Sequence, residues 1–155
     1  MHSSLPFPLR PVLCAWVVAS VLSGLPSTLH ALVSGGDVME ATRAAALMIL
    51  SATGDRDNST GEILLAAGVA HGSISLFWAM GLALVLPRRG VTAWAVAASA
   101  GIALLDLGLI APALFPAVAA LAFLPQLADH LMWGACYGAS LAWMGRPGRR
   151  AHTGD

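Results

Sequence analysis

The residues of this chain that could exchange a proton or hold a cation stand in stretches that are otherwise apolar. His71 lies in "GVAHGS", Asp106 in "IALLDLGLI", and Asp129 and His130 adjoin in "LPQLADHLMWGACYGASLAW"; His30 closes "LPSTLH". Imidazole changes charge near neutral pH, and a carboxylate can be brought to do so by an apolar setting. Such groups cost roughly 2.5–3.5 kcal/mol for Asp at the centre of a membrane helix, so they tend to face one another and mark a pathway or site. Histidines and aspartates gathered at one depth would suit a proton or cation relay. They would equally suit interhelical hydrogen bonds, for example His71 to Asp106, at about 0.6 kcal/mol each.

The elements that must carry these residues follow from composition. Of 155 residues 57% are hydrophobic and 10% charged, and the mean hydropathy is +0.76, well outside the range of soluble domains. The expected fold class is therefore all-α and polytopic, with four transmembrane helices in one bundle. Stretches of about 20 apolar residues occur at about 11–33, 63–87, 91–113 and 119–144. Between the last two, "PALFPAVAA" carries Pro112 and Pro116 and reads as a tight hairpin. In the first connection, "DVMEATRAAALMILSATG" reads as a short amphipathic helix over about 38–53 on the outer face. It starts at a capping-box-like Asp37 and Glu40 and stops at Gly54. Residues 1–145 form one domain and 146–155 a basic tail.

Arginine sets the orientation. Arg10, Arg88, Arg89, Arg146, Arg149 and Arg150 lie on one side of this layout, whereas Arg43 and Arg56 share their connection with five acidic residues. Both termini are accordingly expected in the cytoplasm, with the 34–62 segment outside and Trp16, Trp94 and Trp143 as interfacial anchors. Ala and Gly richness, with arginine used to the exclusion of lysine, fits a high-GC bacterial genome, and hence an inner membrane. A second reading treats residues 1 to about 23 as a cleaved signal peptide, cut after Ser20 or Ser23. The apolar run continues to Val33, past both sites.

Counting from the arginines turns the polar residues into geometry. His71 is 17 residues from Arg88, Asp106 is 17 from Arg89 and His130 is 16 from Arg146. Each then sits roughly 24–26 Å above the arginine-rich face. His30, 20 residues beyond Arg10, lies about 30 Å up on a straight helix, which Pro26 should kink. Asp129 and Gln126 belong to the same zone, and Asp129 points about 100° away from His130.

Other chemistry is missing from the pattern. The formal net charge is zero, which provides no basic field for nucleic acid. Cys14 and Cys136 form no C-x-x-C, and no helix carries H-x-x-x-H or H-E-x-x-H. A haem or metal would need His71 and His130 as ligands from separate helices, with Asp106 hydrogen-bonded behind them. The methionines are scattered and read as apolar filler, and "NST" at 58–60 reads as a chance glycosylation match.

His130, Gly134 and Gly138 form an H-x-x-x-G-x-x-x-G stripe in "HLMWGACYG". With four spans and cytoplasmic termini, this resembles small four-helix bacterial membrane proteins of the domain-of-unknown-function type. The resemblance implies the architecture and carries no activity. Three functions remain open: proton- or cation-linked transport through the His/Asp ring, an accessory or assembly subunit in which the ring is glue, and a haem- or metal-holding redox protein. The cofactor is unassigned. The expected partners are the lipid bilayer and either further copies of the chain or another membrane subunit.

Overall fold

A computed structural model describes residues 7–50 and 58–145, and every regular element among them is helical. They are α1 (Leu9–Leu22), α2 (Leu25–Ser34), α3 (Glu40–Leu50), α4 (Thr60–Val85), α5 (Val91–Leu105), α6 (Ala111–Leu114), α7 (Pro116–Ala119) and α8 (Phe123–Met144). A π-helical segment, Asp106–Ile110, joins α5 to α6.

Three helical stretches are long and apolar enough to cross a membrane: Leu9–Ser34, Thr60–Val85 and Val91–Leu114. Their outward residues suit lipid: Val33 is 88% exposed, Val85 73% and Leu65 70%. The chain is thus a helical multi-pass membrane protein by length and composition. The fourth expected stretch, α8, is not among those three. It carries Gln126, Asp129, His130, two glycines and a serine along 22 residues, which lowers its hydropathy.

The first stretch is broken near the expected point. Ser23 closes α1 through its N–H to the Ala19 carbonyl, and α2 restarts from Gly24 with Pro26 in its first turn. Proline has no N–H and its ring crowds the carbonyl four residues back, which is why the helix cannot run through. Gly35, with φ of 70°, ends α2 in the left-handed conformation that glycine adopts without penalty. At α4 a capping box pairs Ser59 with Glu62: the Ser59 hydroxyl accepts from the Glu62 N–H and the Glu62 carboxylate accepts from the Ser59 N–H. The box expected at Asp37 and Glu40 is absent. Asp37 instead accepts from the Met39 N–H at 2.8 Å and pairs with Arg43. The expected stop at Gly54 lies outside the described residues. Pro87 ends α4 by holding Leu86 extended, at ψ 131°. Around Phe115, α6 and α7 make the expected hairpin.

Helix α8 is the hub. It packs on α5 most extensively, then on α1 and α2, while α1 also meets α4 and α3 lies against α4 and α7. The core joins Val12, Ala15 and Ala19 of α1 to Ala79, Leu82 and Ala83 of α4, with Val91, Ala95 and Ile102 of α5 and Trp133, Tyr137 and Leu141 of α8. Gly134 and Gly138 make the α5 contact close: a Cβ on Gly134 would fall against Ser99 Oγ and 2.7 Å from the Ala95 carbonyl, and one on Gly138 would lie 2.6 Å from Thr92 Cα. Gly72 sits under the Trp16 ring, whereas Gly68 opens to free space and makes no such approach.

Candidate functional site

Four of the five sequence-selected residues gather where α8 meets α2, α4 and the π segment. His130 forms the centre. Its Nδ1 lies 2.8 Å from the Gln126 carbonyl oxygen, one turn back on α8. A carbonyl only accepts, so Nδ1 carries a proton and donates it. The other nitrogen, Nε2, faces Asp106 Oδ2 at 3.4 Å. That pair joins two helices, and each side chain is largely but not wholly enclosed, at 24% and 19% exposure.

Because Nδ1–H is committed to Gln126, the pair can exist in two neutral arrangements. In one, Nε2 accepts from a protonated Asp106; in the other, an imidazolium Nε2–H donates to the carboxylate. The two differ only in the place of one proton. Asp106 opens the π segment, and its own carbonyl accepts the i+5 bond from Ala111. Such one-turn π segments inside α-helices occur frequently at functional sites.

Asp129, next in sequence to His130, faces elsewhere, as the 100° step between neighbours dictates. Its Oδ1 accepts from the Ser27 backbone N–H at 2.9 Å. Ser27 is the third residue of α2, and the broken helix leaves this donor without an intrahelical partner. In an apolar surrounding such a donor would be costly, so α8 caps α2 across the fold.

His71 bridges α4 to α1. Its Nε2 lies 3.2 Å from both the Ser20 carbonyl oxygen and Ser23 Oγ. It is also in electrostatic range of Asp129 and His130. The His71–Asp106 bond considered from sequence is therefore replaced by His130–Asp106. A turn further along the same seam, Trp16 Nε1 donates to Ser75 Oγ at 2.9 Å, and Ser20 and Ser75 hydroxyls meet at 2.6 Å. His30 is exposed on α2 and takes no part in the hydrogen bonds joining the other four. Gln126 contributes its backbone carbonyl.

The serine partners were not singled out from sequence, and Trp16, expected as an interfacial anchor, instead bonds Ser75 and the Gly72 carbonyl across the seam. Trp16, Ser20, Ser23 and Ser27 are spaced four, three and four residues apart, so one face of α1 and α2 is polar, and that spacing was the available signal. Tyr137, fully buried, donates to the Ala79 carbonyl at 2.6 Å and stacks on Trp133.

Among the described residues no three His, Cys, Asp or Glu side chains converge as ligands to one metal ion. His130 would have to give up Asp106 or Gln126 to become a ligand. An open apolar cleft of about 600 Å³ lies apart from the cluster, between Val12 of α1 and Phe77, Met80 and Leu84 of α4. Comparison with family models, curated proteins and solved structures finds no match to this chain.

Proposed function

We propose that the chain is a four-span protein of a bacterial inner membrane that moves protons, or a cation in exchange for them, through the cluster of His71, Asp106, Asp129 and His130. The observation that carries this reading is the His130–Asp106 pair. Its Nδ1 proton is fixed by Gln126, which leaves a single proton free to sit on either partner across the 3.4 Å contact. A pair of that kind can take up and hand on a proton with little rearrangement.

In this reading α8 is the fourth span and α3 is the outer-face helix. The polarity of α8 accords with its place at the hub, where α1, α2 and α5 cover it. Both termini and the Arg88–Arg89 turn lie in the cytoplasm, following the arginine distribution. The contact of α3, in the first connection, with α7, in the third, supports four antiparallel spans.

Purified protein in vesicles containing a trapped pH dye tests the proposal directly. An imposed pH or potential gradient should drive a proton flux, and Asp106→Asn should reduce it to the leak of protein-free vesicles. Asparagine can still hydrogen-bond His130 but cannot titrate. Flux that survives in Asp106→Asn would sink the idea.

A second reading, an accessory or assembly subunit, is favoured by Asp129 and His71, whose hydrogen bonds join one helix to another. A wild-type chain with no flux that co-purifies with another membrane subunit or a second copy would turn the choice to that reading.

A further inference from the structure

The apolar cleft between α1 and α4 lies toward the arginine-bearing ends of both helices. The two run antiparallel: Ser23 meets His71 toward one end, and Phe7 and Leu9 share the cleft with Ala83 and Leu84 toward the other. On α4 the lining residues Ser73, Phe77, Met80 and Leu84 are spaced four, three and four residues apart, so they form one stripe along the helix. The stripe is about 16 Å long, close to the depth of one leaflet in a hydrocarbon core roughly 30 Å thick. Buried Val12 and Ala83 lie at the bottom of the cleft, and exposed Leu9, Phe77 and Leu84 form its rim. Gly81 keeps it open, since a Cβ there would meet nothing within 4 Å.

The charge at one end of this trough has a single sign. Arg10 follows Leu9, and Arg88 and Arg89 come four and five residues after Leu84. All three are exposed, and among the described residues no carboxylate pairs with them. A long apolar trough that ends at unpaired guanidinium groups has the polarity of a phospholipid laid along the protein.

We propose that the cleft holds one acyl chain of an anionic glycerophospholipid, with its phosphate at Arg88 and Arg89 and Arg10 beside them. Guanidinium can meet phosphate through two parallel N–H···O bonds, and each basic residue near the surface favours anionic lipid about fivefold. The register agrees: a headgroup at the arginines lays the chain from Leu84 toward Ser73, to about the depth at which its leaflet ends. A zwitterionic lipid offers the same chain but adds a cation that the arginines repel. A helix of a second copy fits less well. It is about 10 Å wide, and the Leu9, Phe77 and Leu84 rim would hold it off Gly81, whereas close helix pairs in membranes need small residues at the contact.

The site rests on the two spans and their arginines, independently of proton transport. The full chain, purified in mild detergent, would be titrated with dioleoyl phosphatidylglycerol or dioleoyl phosphatidylcholine, and the lipid-bound fraction read by native mass spectrometry. We expect one phosphatidylglycerol per chain, bound at least about fivefold more tightly than phosphatidylcholine. Arg88→Gln with Arg89→Gln should make the two lipids bind alike. Gly81→Leu, whose side chain enters the cleft, should weaken both, whereas Gly101→Leu, equally free of clashes but on α5, should weaken neither. Should Gly81→Leu fail to fold, Met80→Trp takes its place with the same expectation. A wild type without lipid preference, a preference that survives loss of both arginines, or phosphatidylglycerol binding unchanged by filling the cleft would each overturn the site. So would a wild-type dimer that carries no lipid, which would give the cleft to a second copy.

Discussion

At the residue scale, the cost of polar groups in an apolar fold depends on whether each finds a partner. Asp129 and Tyr137 do, through Ser27 N–H and the Ala79 carbonyl. Ser99 Oγ and Trp133 Nε1 are buried and lack one among the described residues. Replacing Ser99 by alanine should therefore raise stability by about 1 kcal/mol, since an unpaired hydroxyl is lost along with its desolvation penalty. Tyr137→Phe should cost little, about 0.6 and at most ~1.7 kcal/mol, the range for interhelical hydrogen bonds in membranes. Gly138→Val should cost more, about 1–3 kcal/mol or beyond, because its side chain would press on the Thr92 backbone, which cannot move aside. Unfolding of the three variants in mixed micelles would rank them, and a Tyr137→Phe loss larger than that of Gly138→Val would reverse the argument. A histidine–aspartate bond between helices was legible in the sequence, although it is His130 and not His71 that meets Asp106. The partner of Asp129 was not, because a backbone N–H freed by a distant proline has no letter of its own.

At the element scale, hydropathy located the three long apolar helices to within a few residues, and Pro26 and the Pro112–Pro116 pair located two of the interruptions. The π segment was hidden. Its sequence, "DLGLI", is as compatible with an ordinary helix. The box at Ser59–Glu62 was readable as Ser-x-x-Glu ahead of an apolar run, and was obscured by the more salient "NST". Ser59→Ala should lower stability by about 1 kcal/mol, detectable as a shift in the thermal midpoint in detergent. Local stability should also divide the first apolar stretch. Hydrogen exchange should be faster in α2, which buries no residue, than in α1, whose Val12, Ala15 and Ala19 lie in the core. Equal protection along 9–34 would mean that the break is only a bend.

At the scale of the molecule, the least apolar long helix is also the most widely contacted. Helix α8 brings Gly134 and Gly138 to α5, Tyr137 to α4 and Asp129 to α2, so its polarity and its centrality have one cause. That placement also imposes an order in time. Helix α8 leaves the ribosome after α1, α2 and α5, and until it does, Ser27 has no carboxylate, Asp106 no imidazole, and the Thr92–Ser99 face of α5 nothing to close on. The earlier helices must wait in the bilayer as a loose set, so assembly belongs to the moments after α8 has emerged. A chain stopped before Phe123 should insert normally yet be cleared by cellular proteolysis far faster than the whole, and pulse-chase labelling would time that clearance.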